Sequence, residues 1–276
     1  GKEPFVLDAE AYGSDADYPG VLAVAEDKDA GVIRGHRIAA LKVNPVQYNP
    51  VTGRLTVYSM IEVRLSFDRP AQIGGVDRRL VSEDFEELLK ASVLNYKPQE
   101  RFAKPEGGGG GEGGEKELTG YDYLIITADG LYDAADATNP IVKLADWKRR
   151  KGLRVKVKKV GSIAGGNTAA SIQTYIQNAY DTWNPAPSYV LLVGDSDTIT
   201  AVPGMDHPDA TMPRVNTDLY YTTVDGTDYF PDIHVGRLSA DTVQQLSDMV
   251  DKILAYEKNP PAQAAFYDAV SLVGLF

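Results

Sequence analysis

The chain has 276 residues, 43% hydrophobic and 24% charged, so it can bury a sizeable core and lies far from the composition of a disordered segment. Asp and Glu number 39 against 28 Lys and Arg, a net charge of −11, which argues against general affinity for nucleic acid because phosphate binding needs clustered cations. Cysteine is absent, which excludes disulfides, thiolate–metal and iron–sulfur sites and a cysteine nucleophile within these residues, and with histidine limited to His36, His207 and His234 the sequence gives little support to a multi-histidine metal site.

No initiator Met and no basic-then-apolar leader opens the chain, so a removed signal or an artificial boundary at Gly1 is expected. Val21–Ala25 and Gly31–Gly35 read as short strands, and Arg37–Val43 as a strand partnering the next one across the turn chemistry of Asn49-Pro50-Val51-Thr52-Gly53. From Leu55 to Phe67 apolar and polar residues alternate, which predicts a long antiparallel strand with Leu55, Val57, Ile61, Val63, Leu65 and Phe67 toward a core. Ser82 to Asn95 predicts a helix capped by Ser82, with Phe85, Leu88 and Leu89 on one stripe. This first part, residues 1–105, is therefore a small β-rich domain.

Residues 106–118 follow as a linker, since seven of the eight residues 107–114 are glycine and such a run buries nothing. Beyond it the pattern changes. Tyr123–Thr127, Leu153–Val160 and Tyr189–Val193 read as strands, the first and third of them continuously apolar. They alternate with a helix starting at Asn139-Pro140 and ending in Lys148-Arg149-Arg150-Lys151-Gly152, and a second capped by Thr168. Asp241–Lys258 gives a third helix and Ala269–Phe276 a last apolar strand. Such alternation implies right-handed crossovers and a parallel sheet covered by helices. The final strand leads into no helix, so residues 119–276 are expected to be an incomplete α/β domain, a fragment or cleaved product of something longer. No apolar run approaches the roughly 20 residues of a transmembrane helix.

Candidate chemistry concentrates between Asp195 and Asp232, where Asp195, Asp197, Asp206, Asp209, Asp218, Asp225, Asp228 and Asp232 face a single base, Arg214. Crowded carboxylates either spread into solvent or are bridged by a cation, and the all-oxygen set suits calcium. Asp195, Asp197, Asp218, Asp225, Asp228 and Asp232 are the candidate ligands, although Asp225-Gly226 also reads as a plain turn. Gly194-Asp195-Ser196 after an apolar strand invites a serine hydrolase, but its base would have to be His234, on a strand behind Asp232, and a structural histidine is the better reading. Gly165-Gly166-Asn167-Thr168 could cradle a phosphate at a helix start, yet it lacks the P-loop lysine, and a loop with an N-cap explains it. The basic groups Lys148–Lys151 and Lys156–Lys159 read as a helix end and a solvent-facing strand edge.

Four blocks carry a resemblance: Tyr123-Leu124-Ile125-Ile126-Thr127, Leu144 to Leu153, Tyr189-Val190-Leu191-Leu192-Val193-Gly194-Asp195, and Pro231-Asp232-Ile233-His234-Val235-Gly236-Arg237-Leu238. In order and spacing they resemble the start of the catalytic domain of gingipain-type (C25) cysteine peptidases, and Asn44 to Pro50 with the strand after it is similar to that family's propeptide. The resemblance implies a secreted or surface bacterial zymogen in which an N-terminal propeptide precedes a caspase-like α/β domain, often calcium-stabilised. It implies a protein or peptide substrate and a Cys/His pair in the remainder of the catalytic domain, after Phe276; none of the family's catalytic residues falls in this chain. Exposure beside the glycine run, with the family's preference for basic residues, makes Arg101 and Lys104 the expected maturation sites. The competing expectation is a non-enzymatic surface module with a calcium-stabilised α/β domain.

Overall fold

The computed structural model describes residues 8–64, 77–96, 119–204, 216–263 and 266–267, with backbone alone at 26–29. Packing divides the chain into two compact units, Gly1–Val76 and Asp77–Phe276.

In the first unit, a short helix α1 (Ala9–Gly13) is capped by Asp8. Strand β1 (Ala23–Ile33) pairs antiparallel with β2 (His36–Val43) through a two-residue turn, with a register shift between Ala25 and Ala30. The two short strands expected from Val21 to Gly35 are thus one interrupted strand. Strand β3 (Val46–Asn49) pairs antiparallel with β4 (Arg54–Val57), and Asn49 Oδ1 closes the intervening turn by accepting from the Val51 and Thr52 amides.

Here the long strand expected from Leu55 to Phe67 is corrected. The strand stops at Val57, and its partner is Val46–Asn49 instead of Arg37–Val43, which pairs with β1. The Tyr58 amide makes one more bond, to Pro45 O, where the partner chain ends in a residue with no N–H to offer. Without a ladder the alternation cannot be realised as strand. The inward face fails too: Leu55 and Val57 are 62% and 65% exposed, while Gln47 and Asn49 are the buried residues of this hairpin. Leu65 and Phe67 lie outside the described residues.

The second unit begins with α2 (Glu83–Ser92), whose Phe85 and Leu89 are buried and whose Leu88 turns outward. Then come β5 (Tyr123–Thr127), α3 (Pro140–Arg150), β6 (Val155–Lys159), α4 (Ala169–Thr182), β7 (Tyr189–Val193), the two-residue pair β8 (Val202–Pro203) and β9 (Asn216–Thr217), β10 (His234–Leu238) and α5 (Val243–Lys258). Strands β10-β7-β5-β6 form one parallel sheet in that order. Ser82 stands at the N-cap of α2 but makes no side-chain cap bond, whereas α3, α4 and α5 start at side-chain caps. Asn139 Oδ1 accepts from Ile141 N with Pro140 in the first turn, Thr168 caps Ser171 N, and Thr242 with Gln245 forms a reciprocal capping box.

The chain steps from β5 to β6 in one direction and from β6 back past β5 to β7 in the other. With right-handed crossovers, that reversal puts α3 and α4 on opposite faces of the sheet. Helix α5 packs on α3. The core is the sandwich between: Leu124, Ile125, Ile126, Ile141, Ile172, Ile176, Leu192 and Leu246 are all fully buried. This is the helix-flanked parallel α/β sheet expected for residues 119–276. The glycine run, the segment Ala269–Phe276, Asp206, Asp209, Arg214, Arg101 and Lys104 fall outside the described residues. No helix among the described residues is long and apolar enough to cross a membrane.

Candidate functional site

Open parallel sheets put ligand sites beyond the carboxyl ends of their strands, at the point where strand order reverses. That point lies between β5 and β7. The ends are laced together there: Ala128 N donates to Val193 O and Gly194 N to Leu238 O, both at 2.9 Å. After β7 the chain turns sharply through Gly194 at φ 139°, where a Cβ would stand 2.6 Å from Thr198 Oγ1, so only glycine fits. A tight turn follows, in which Ser196 N donates to Asp195 Oδ1 and Ile199 N to Asp195 O.

Arg237, from within β10, holds this turn in place. Its Nη1 donates to the carbonyls of Gly194 and Ile199, both at 2.9 Å, and its Nε and Nη2 take the two oxygens of Asp218 at 2.9 and 2.8 Å. The fork geometry of arginine suits both the two carbonyls and the carboxylate. Tyr221 donates its hydroxyl to Thr200 O, and burial, followed by the charge of Asp218, pushes its phenol up to about 12. Asn167 ties the same loop to the start of α4, donating to Thr198 O and accepting from Thr200 N. Residues 165–168 are therefore a loop brace plus an N-cap, the reading that the sequence prefers to a phosphate cradle.

Of the six candidate metal ligands, only Asp195 and Asp197 come together. They meet a third carboxylate, Asp241, which follows β10: one oxygen of each lies within 4.8 Å of the others, Asp195 half-buried and the other two exposed. Asp218 is engaged by Arg237. Asp228 accepts from Phe230 N, and Asp225 takes the Tyr180 hydroxyl at 3.4 Å. Asp232 is fully buried and closes that loop from within, its Oδ2 accepting from Val224 N and Asp225 N at 2.9 and 2.8 Å. It stands before the amino end of β10, at the opposite end of the sheet from Asp195, which follows the carboxyl end of β7. The six do not form one site.

Asp241 is the residue that the sequence pattern does not single out. It reads as the start of a helix, and only the pairing of β10 with β7 brings it to Asp195. The same register separates Ser196 from His234. The serine lies past the carboxyl end of β7, and His234 opens β10 opposite Tyr189 at the amino end, so no serine–histidine pair forms. His234 is structural, stacked between Tyr189 and Phe85 with ring centroids 5.4 and 4.2 Å away.

Comparison with known proteins bears on what this framework belongs to. Residues 116–274 match the family model of peptidase family C25, and residues 1–101 match that of the C25 propeptide. Lys-gingipain W83 of Porphyromonas gingivalis is 30% identical over 275 residues, covering 99% of this chain and 14% of that protein. Gingipain R2 of the same species is 29% identical over 260 residues, covering 93% of this chain and 31% of that protein. The chain thus spans less than a third of the length of these relatives. Among solved structures, the complex of Porphyromonas gingivalis RgpB pro- and mature domains is similar at 27% identity and a TM-score of 0.41, over 49% of this chain and 28% of that one. With a peptidase match over more than half of its length and the corresponding propeptide match ahead of it, the chain belongs to peptidase family C25.

Proposed function

We propose that the chain is the N-terminal portion of a secreted or cell-surface bacterial cysteine endopeptidase zymogen. One observation carries this reading: a C25 propeptide at 1–101 and a C25 peptidase match at 116–274 stand in tandem. In such chemistry a thiolate attacks the peptide carbonyl, a histidine hands its proton to the leaving amine, and backbone N–H groups hold the oxyanion. With no cysteine in 276 residues the nucleophile cannot lie in this chain, and His234 opens its strand at the amino end, away from the turn after β7. Its part is scaffolding. The sheet would be completed, caspase-like, by strands of the remaining catalytic domain, and the braced turn 194–200 would form one wall of a cleft for protein or peptide substrates. The propeptide would inhibit or chaperone this domain, and Arg101 and Lys104 are the proposed maturation sites.

The carboxyl-end acids fit a hard cation by donor type, since Asp195, Asp197 and Asp241 offer only oxygen. Calcium is the proposed ion, structural in role. A melt of the chain in calcium and in chelator tests it: a lower Tm in chelator is expected, and an unchanged one removes the proposal.

The coding sequence downstream of Phe276 tests the peptidase reading. A Gly-His at the end of one strand and an Ala-Cys at the end of the next are expected, and their absence would favour a non-enzymatic surface module. N-terminal sequencing of the matured protein tests the cleavage sites, and an end that follows neither Arg101 nor Lys104 rules them out.

A further inference from the structure

The propeptide match runs to residue 101, yet the compact first unit ends at Val76. Residues 77–96 are therefore propeptide by sequence and part of the α/β unit by packing. Two sets of contacts seat them. Arg79 Nη1 reaches three carbonyls at the end of α4, donating to Tyr180 O, Asp181 O and Trp183 O at 3.0, 2.6 and 3.4 Å. These are last-turn acceptors that the helix itself leaves open, at the negative end of its dipole. Asp77 Oδ2 holds the same guanidinium at 2.5 Å, and Arg79 O accepts from Ala186 N.

The second set is aromatic. Tyr123, Tyr189 and His234 open three neighbouring strands in register, and their rings stack in a row at 5.5 and 5.4 Å. Phe85 of α2, 2% exposed, adds a fourth ring on His234 at 4.2 Å and 26°. Beside it, burial first and then the carboxylate of Asp84 drive the Tyr189 phenol's pKa upward. Leu89, one turn further along the helix, is equally buried. All of this lies at the amino ends of the strands, about 13 Å of strand away from the carboxyl-end turns.

We propose that residues 77–96 are the anchor by which the propeptide grips the peptidase unit: Arg79 caps α4, Phe85 completes the ring row of the sheet, and the seat lies on the opposite end of the sheet from the carboxyl-end site. The segment that precedes the glycine run is then held by contacts that do not depend on the continuity of the chain. A cut in residues 107–114 leaves the propeptide in place, and release requires displacement from this seat. The inference rests on the reading of residues 1–101 as propeptide, but its test needs no peptidase activity.

A recognition sequence for a specific protease is placed in the glycine run of the intact protein, the chain is cut, and the products are separated by gel filtration. The two pieces are expected to co-elute. Excess synthetic peptide spanning residues 77–96 should displace the N-terminal piece, whereas the same peptide with R79A and F85A should need at least about ten times the concentration. Within the protein, R79A/F85A should shed the N-terminal piece on cutting. Pieces that part without competitor, or that resist both the peptide and the double substitution, overturn the proposal, since retention would then lie elsewhere or nowhere. The peptide competition uses unsubstituted protein, so it decides the matter even if the double variant misfolds. A protein that retains its propeptide here but has no peptidase activity when complete would sink the proposed function and leave the anchor standing.

Discussion

Replacing Glu257 with glutamine tests how the C-terminal ends of α3 and α5 are joined. Trp147 Nε1, Lys148 Nζ and Lys151 Nζ converge on its carboxylate at 2.8, 2.6 and 2.9 Å. Burial works to raise the carboxyl's pKa, but the bonds from Lys148, Lys151 and Trp147 outweigh it and lower it from 4.5 to about 2. At about 1.4 kcal/mol per pH unit, this difference bounds the stabilisation at about 3.5 kcal/mol. The Lys151 side chain is 47% exposed and its share is screened by water, so about 1–2 kcal/mol is the expected contribution. The folded-state pKa is depressed, so the stability is fully present above pH 4.5 and fades as pH falls toward 2. Both tryptophans, Trp147 and Trp183, belong to the α/β unit, and urea unfolding followed by their fluorescence reports on that unit. The wild type should exceed Glu257→Gln by about 1–2 kcal/mol at neutral pH, with the gap closing at strongly acid pH. Equal stability at neutral pH, or a gap that does not change with pH, would refute this assignment.

Two further substitutions probe the frame. Arg237→Ala leaves Asp218 without its partner in a site where the two side chains are only 12% and 20% exposed, and frees the carbonyls of Gly194 and Ile199. A loss of about 3–5 kcal/mol is expected in the same urea assay, and a loss below about 1 kcal/mol would contradict the role given to it. Gly120→Ala would set a Cβ 2.1 Å from Pro185 O and 2.6 Å from Asn184 N, both main-chain atoms that cannot swing aside. The cost should be about 1–3 kcal/mol, read as a lowered Tm; an unchanged Tm would mean that this approach is looser than described.

Most of the α/β unit is legible in the sequence because its signals are local. The apolar runs Tyr123–Thr127 and Tyr189–Val193 are the strands residue for residue, and Asn139 and Thr168 cap helices by side-chain bonds that reach only two or three positions. The alternation from Leu55 misleads for the opposite reason. A period of two gives each residue a face, but whether a strand forms depends on a partner ladder, and that ladder ends at Pro45. The candidate site is legible only in part. Asp195 and Asp197 stand out as acids after a strand, whereas Asp241, Arg237 and Glu257 acquire their partners through sheet order and helix packing across the chain. Arg79 is the extreme case: its acceptors lie more than 100 residues away, and nothing around it in the sequence marks it as a helix cap.

The most direct test is an endopeptidase assay on the complete precursor and on this 276-residue chain, each with and without a thiol-alkylating reagent. The account predicts that the complete protein, once matured, cleaves peptides and is silenced by alkylation, while the 276 residues alone cleave nothing. Hydrolysis by the short chain itself, or alkylation-resistant hydrolysis by the complete one, would contradict it.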